Sequence, residues 1–258
     1  MSTDGGGAAG AGWPAGTGRI VLPRVDSTMA EAARRAPELT GTTWIMAAEQ
    51  TAARGRQGRP WAMPPGNFAA TLVLWPDTGP GGGPAQVALR SFVAALALYD
   101  TFVALTGERA PFALKWPNDV LLDGGKVAGI LLETAPGGAL LVGVGVNLAA
   151  APDAADLPAG ALTPVSLSGE LGVEVSPAAF LDALAPAFAV WEGRLVEEGF
   201  APVREAWLAR AARLGEPIRA RTGQRELSGV FETVDEAGHL VLATGEGREA
   251  IAAAEVFL

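Results

Sequence analysis

The chain has 258 residues, a hydrophobic fraction of 49% and a net charge of −9. It has no cysteine and one histidine, His239, which excludes disulfides, zinc–thiolate sites, Cys nucleophiles and a His-built metal cage. The acidic balance argues against nucleic acid or an anionic membrane as principal partner, and no apolar run reaches the ~18 residues of a transmembrane helix.

Residues 1–18 read as a flexible tail, since they lack the basic start and apolar core of a signal peptide. A cytoplasmic location is the expectation. Residues 19–25 (RIVLPRV) predict a strand. DSTMAEAARRAPEL predicts a helix in which Thr28 and Glu31 have capping-box spacing. TTWIMAAEQ predicts a strand, 51–67 a loop rich in Gly, Pro and Arg, and FAATLVLWP another strand. After a flexible connection at 79–84, residues 85–107 predict one long, largely buried helix ending at Gly107.

The segment 112–134 reads as a hairpin turning at Asp123-Gly124-Gly125. ALLVGVGVNL predicts a strand, and two helices follow within 176–215. Beyond Gly215 the texture changes to short strands between Gly-containing turns, which suggests a small barrel and a boundary near 213–216.

Four segments stand out chemically. Arg54-Gly55-Arg56-Gln57-Gly58-Arg59 closes on Trp61. Glycines let a backbone approach a ligand, arginines supply forked donors for carboxylate or phosphate, and Trp61 offers a flat face; a solvated loop with a packed Trp is the plainer reading. The stretch KWPNDVLLDGGKVAGI holds the only two lysines of the chain, Lys115 and Lys126. A background that favours Arg retains Lys where a compact point charge matters. On a hairpin these lysines fall on adjoining strands and can face one pocket, with Pro117 marking a bulge or strand end and Asn118 and Asp119 projecting beside it. Gly143-Val144-Gly145-Val146-Asn147 lets a ligand lie against a strand, but is neither a GxGxxG fingerprint nor a P-loop. Ser27-Thr28 sits at a helix start, where hydroxyls cap or meet a ligand.

In this order, the four segments resemble biotin–protein ligases. The resemblance rests on Asp26-Ser27-Thr28, on ARGRQGRPW, on KWPND followed by KVAGILLE, and on GVGVN, and spans about residues 20–258. It implies an α+β fold: a mixed-sheet catalytic domain of class II synthetase-like type at 19–213, then an SH3-like barrel at 214–258. It implies ATP and biotin as substrates, Mg²⁺, and a biotin carboxyl carrier protein or domain of an acetyl-CoA or acyl-CoA carboxylase as acceptor. Neither DNA nor membrane is expected as a partner, and a monomer or weak homodimer is expected.

The resemblance also implies residue roles. Lys126 bridges the biotin carboxylate and the α-phosphate, Arg54 and Arg56 clamp from the loop, and Lys115 holds phosphate oxygens. Asp119 orients Lys115 or a Mg²⁺ ion. Ser27, Thr28 and Gln50 read the ureido ring, with Gly55 and Gly129 beside biotin. Arg59, Trp61, Asn118 and Asn147 attend the nucleotide, with Trp61 covering adenine. Two departures from the family pattern are Ala53 in place of Gly and Met29 in place of a polar residue. A lipoate ligase is the rival enzyme, and a biotin-binding module without transfer is the rival of another class.

Overall fold

The computed structural model describes residues 12–76, 83–107, 111–153, 162–223 and 225–258. Strands β1 (Gly18–Leu22), β2 (Thr43–Ala47), β3 (Phe68–Leu74), β4 (Phe112–Lys115), β5 (Asp119–Leu122), β6 (Gly125–Ala135) and β7 (Ala139–Val146) form one sheet. Its order is β1-β2-β3-β7-β6-β5-β4. β1 runs parallel to β2, and every other neighbour is antiparallel. This is the mixed sheet expected. Of the expected tail, 1–11 lie outside the described residues. Within the rest, the Trp13 indole donates to Thr17 O at 2.7 Å and lies under the Arg19 guanidinium.

Strand alternation separates two faces. On β3, Phe68, Ala70, Leu72 and Leu74 join a buried cluster with helices α3 (Arg90–Thr106) and α5 (Pro177–Glu198). Val73 instead joins Ile45, Leu141 and the buried side of α1 (Thr28–Arg35) in a second cluster. The second face also carries the cleft described below.

Helix α1 starts at Ser27, whose Oγ accepts from Met29 N at 3.2 Å. The capping-box expectation is corrected: Thr28 is already helical and its hydroxyl is spent on Gln50, while Glu31 is drawn to Arg34 and Arg35. Two guanidinium partners hold a carboxylate more strongly than one backbone N–H. The predicted helix at 85–107 is two pieces, α2 (Pro84–Ala88) and α3, broken at Leu89. Gly107 ends α3 at φ 72°, donating to Val103 O at 2.8 Å, a left-handed C-cap. The stretch Gln86–Thr106 is long and apolar enough to cross a membrane, yet 72% of its most apolar window is buried inside the fold, as in a core helix. A short helix that sequence patterning missed, α4 (Leu167–Leu171), precedes α5, and α6 (Phe200–Leu208) follows it.

The expected hairpin is a three-stranded meander, β4-β5-β6. Asp123 and Gly124, at φ 49° and 79°, make the turn between β5 and β6. A second turn, of three residues at 116–118, separates β4 from β5. Lys115 and Lys126 therefore do not lie on adjoining strands; Asp119 stands between them. The β5–β6 register slips: Leu121 opposes Lys126 and Val120 opposes Ala128, leaving Val127 as the extra residue of a bulge. Opposed residues share a face, so Lys126, Asp119 and Gly129 all point the same way.

Strands β8 (Pro217–Thr222), β9 (Arg225–Val234), β10 (Leu240–Thr244), β11 (Gly247–Ile251) and β12 (Glu255–Phe257) form a separate antiparallel sheet in the order β11-β10-β9-β8-β12. Its buried side chains, among them Phe231, Leu242 and Val256, continue the α3–α5 core, with Trp207 and Phe231 ring centroids 6.4 Å apart.

Candidate active site

Read across β4, β5, β6, β7 and β3, the opposed residues are Lys115, Asp119, Gly129, Gly145 and Ala69. This face floors a cleft of about 1350 Å³. Pockets for one small molecule run roughly 300–1,000 Å³, so the cleft has room for two substrates. The 51–63 loop, the start of α1 and the 254–258 end of the second sheet wall it.

The glycines serve close packing. A Cβ on Gly145 would lie 2.7 Å from Trp61 Cε2, and one on Gly143 2.7 Å from Met29 Cε. Side chains already occupy the space that the sequence reserves for a ligand, and those side chains, Trp61 and Met29, line the cleft themselves. Gly129 leaves room for Trp61 and for Lys126, whose Nζ would sit 3.3 Å from an added Cβ.

One end of the cleft is a chain of neutral polar groups. Thr71 Oγ1 donates to Thr28 Oγ1 at 3.0 Å, and Thr28 Oγ1 and N donate to Gln50 Oε1 at 3.1 and 2.7 Å. The Gln50 carbonyl is thereby saturated, and among the described residues its NH₂ meets the Met63 sulfur at 3.4 Å, a weak acceptor. Gln50 thus offers donors to a bound carbonyl. Ser27 is anchored beside it: Asp26 Oδ1 accepts from Ser27 N at 2.8 Å, and Arg34 clasps Asp26 with both terminal nitrogens. That clasp, aided by the Ser27 N–H, holds the Asp26 carboxyl well below the usual range.

The other end is charged. Lys126 Nζ lies 2.6 Å from Asp119 Oδ1, and Lys115 Nζ lies 3.5 Å from Oδ2. Lys115 and Asp119 are 7% and 9% exposed. Burial alone would push the Asp119 carboxyl up, but Lys126 and Lys115 outweigh it and hold it below its ordinary value. Burial pushes Lys115 down, helped by Lys126 and Arg56 and opposed by Asp119. Two ammonium groups against one carboxylate leave positive charge directed into the cleft. The Lys126 ammonium also lies 5.4 Å from the Trp61 ring centroid.

The Arg-Gly loop folds back on itself. Gly55 N donates to Arg59 O at 2.7 Å and Trp61 N to Ala53 O at 3.0 Å. Its arginines part company. Arg54 Nη2 pairs with Glu133 at 2.8 Å and Arg59 Nη1 with Glu255 at 2.7 Å; each pairing raises the arginine's pKa. Arg56 has no ion pair among the described residues. It is half-buried, donates to Asn118 Oδ1 at 3.2 Å, and is pushed below its ordinary value by burial. Asn118 in turn donates to Ile130 O at 2.7 Å. The structure therefore brings Arg56, Lys115, Asp119 and Lys126 together, and commits Arg54 and Arg59 to Glu133 and Glu255, two carboxylates that no sequence motif singles out.

Asn147 lines the cleft, but its amide is engaged: Nδ2 donates to Val165 O at 3.0 Å and Asn67 Nδ2 reaches its Oδ1 at 3.4 Å. For Mg²⁺ the described residues offer no cage. Both Asp119 oxygens face lysines, and among the described residues no three His, Asp or Glu side chains cluster. The described residues do not build a metal site.

The family described as "Biotin/lipoate A/B protein ligase family" matches residues 21–148, and "Biotin protein ligase C terminal domain" matches 214–258. The chain is 58% identical to a biotin–[acetyl-CoA-carboxylase] ligase of Paracoccus denitrificans, over 92% of this chain and 99% of that one. It is 31% identical to the bifunctional ligase/repressor BirA of Bacillus subtilis, over 92% of this chain and 72% of the relative. The solved biotin protein ligase of Aquifex aeolicus in complex with biotin and ATP superposes with a TM-score of 0.78 at 25% identity, covering 93% of this chain and 97% of that one. From its two matched segments, its identity to a biotin ligase over nearly the whole chain and the shared fold, this chain belongs to the biotin protein ligases of the biotin/lipoate A/B protein ligase family.

Proposed function

We propose that the chain activates biotin with ATP to biotinyl-5′-AMP and transfers the biotinyl group to a lysine of a biotin carboxyl carrier protein or carboxylase domain. The observation that carries this reading is the Lys115–Asp119–Lys126 cluster, with Arg56 beside it, on the floor of a cleft whose other end presents paired neutral donors. A carboxylate must reach the α-phosphorus of a polyanion. Unit charges 4 Å apart repel by about 4 kcal/mol at an effective dielectric near 20. Fixed cations that meet both partners offset that repulsion and stabilise the charge that develops as pyrophosphate leaves.

In this reading biotin lies with its ureido ring at Ser27, Thr28 and Gln50, passes Gly55, Trp61 and Gly129, and ends with its carboxylate at Lys126. Buried ureido groups need paired partners, which favours a ring with N–H and C=O edges over an apolar one. Lys126 bridges carboxylate and α-phosphate, Lys115 and Arg56 take phosphate oxygens, and Asp119 keeps the two lysines apart and aimed. Trp61, beside Lys126, forms the wall between the two substrates. Arg54 is released from Glu133 when the loop closes, and Arg59, Asn118 and Asn147 border the nucleotide. The carrier lysine amine then attacks the carbonyl of the mixed anhydride, the bond to phosphate breaks, and AMP leaves. Loop closure excludes water from that anhydride. Residues 19–213 hold both substrates and 214–258 close one end of the cleft; the enzyme works as a monomer or weak homodimer, without DNA or membrane.

The test is pyrophosphate release with ATP and either biotin or lipoate. We expect release that depends on biotin and is little affected by excess lipoate. Release driven by lipoate, or none with biotin, contradicts the reading.

A further inference from the structure

We propose that Trp116 is a positioning residue for the lysine cluster, through which the C-terminal sheet sets the ATP side of the cleft; the inference rests on the ligase reading above. Sequence patterning gave Trp116 no role. It is 3% exposed, and its Nε1 donates to Gly238 O at 3.0 Å, 122 residues away in the turn between β9 and β10. That turn is fixed in itself and on its seat. The Asp235 carboxylate accepts from Ala237 N and His239 N at 2.9 and 2.8 Å. Gly238 has φ 83°, and a Cβ there would fall 3.0 Å from Phe92 Cε2 and 3.1 Å from Leu89 Cδ2.

The residue on the other side of Lys115 is held from the same direction. Leu114 N donates to Arg210 O, and Ala212 N donates to Leu114 O, both at 2.8 Å. Residues 210–212 thus add to the edge of β4 just before the chain enters β8. Lys115 is fastened at both flanks, by backbone bonds at Leu114 and by the indole at Trp116. Its own side chain is nearly buried, so the position of its ammonium follows the strand that carries it. Small displacements of a positioned charge reduce transition-state stabilisation sharply. The C-terminal sheet is, on this geometry, part of the phosphate-binding apparatus.

The experiment measures pyrophosphate release and thermal midpoints for the wild type, Trp116→Phe, Gly238→Ala and Trp191→Phe. Trp116→Phe keeps a ring and loses the donor. Gly238→Ala displaces the turn without touching the strand. Trp191→Phe is the control: its indole is also buried, donating to Asp100 Oδ2 at 2.8 Å from α5, away from the cleft. We expect Trp116→Phe and Gly238→Ala to raise the KM for ATP about fivefold, the factor for one lost hydrogen bond, with the KM for biotin unchanged. Trp191→Phe should lower the midpoint comparably and shift neither KM. If Trp116→Phe does not fold, Gly238→Ala decides. An unchanged KM for ATP, or a rise in both KM values such as general loosening produces, overturns the inference. Absence of biotin-dependent release by the wild type would overturn the ligase reading itself.

Discussion

Lys126 and Asp119 meet at 2.6 Å across a β-bulge. Strand alternation would put residue 126 on the face opposite residue 129; the extra residue, Val127, returns Lys126 to the face of Gly129 and Asp119. The bulge thereby re-aims one ammonium group so that it shares a carboxylate with Lys115.

Replacing Lys126 with Arg should reduce adenylation roughly 10²-fold while leaving the thermal midpoint close to wild type. The charge and the Asp119 partner survive, but a planar fork cannot sit between two acceptors that converge as a point charge can. Pyrophosphate release measures it; near-wild-type rates would remove the bridging role.

Asp119→Asn leaves two ammonium groups facing a neutral amide in a buried site. Breaking a buried ion network in this way destabilises by about 3–5 kcal/mol. The Asn variant should also depend on pH in a defined direction. Lys115 is already held below its ordinary value of 10.5 by burial, and without Asp119 it falls further. Between its folded pKa and 10.5 the unfolded chain binds more protons than the folded one, so stability rises with pH. Urea titrations should show a deficit that shrinks toward alkaline pH. A pH-independent deficit would mean that Lys115 is not the group responsible.

In the wild type the same depressed lysine should limit ATP use. The apparent affinity for ATP is expected to decline on an alkaline limb centred below 10.5, as Lys115 loses its proton. Lys115→Arg should move that limb upward, because guanidinium stays charged. A limb that does not respond to this substitution would assign it to another group.

Much of this site is readable from sequence where the chemistry is local. The Arg-Gly loop, the KWPND segment and the GVGVN strand concentrate unusual residues within a few positions, and the fold does bring them to one cleft. Partners far along the chain are a different matter. Glu133 pairs with an arginine 79 residues away and Glu255 with one 196 away; neither differs in type from the rest of 28 acidic residues. Thr71 looks like a strand-former between apolar neighbours, and only the approach of α1 makes it a donor to Thr28. Register slips such as the one at Val127 also leave no periodic signal, since alternation simply restarts after them. The helix cap is Ser27 and not Thr28, whose hydroxyl accepts from Thr71, 43 residues away, and donates to Gln50, 22 residues away.

Glu255 connects the Arg-Gly loop to β12 through Arg59, and also meets Arg221. The Arg59 hydrogen bond, opposed by partial burial and reinforced by Arg221, lowers the Glu255 carboxyl from 4.5 to about 2. A depressed carboxyl contributes stability above its unfolded value of 4.5, and that contribution is lost as pH falls toward 2. Glu255→Gln should therefore unfold at a lower temperature than wild type near neutral pH, with the difference closing across that acid window. Trypsin should cut the 54–59 loop faster in this variant. Equal cutting rates would show that the loop is not held from the C-terminal sheet.

With Lys115 and Lys126 as the only lysines, an anhydride released without a carrier meets few amines on its own enzyme. After incubation with biotin and ATP alone, mass spectrometry should find biotinyl adducts confined to those two residues and any free N-terminal amine. Stable adducts on other residue types would contradict this.

The most direct measurement is ATP-dependent transfer of labelled biotin to a purified carrier domain by the wild type and by Lys126→Arg. We expect label on the carrier lysine with the wild type, dependent on ATP, and close to none with the variant. A folded wild type that binds biotin but leaves the carrier unlabelled, or a variant that labels it equally well, would contradict the account.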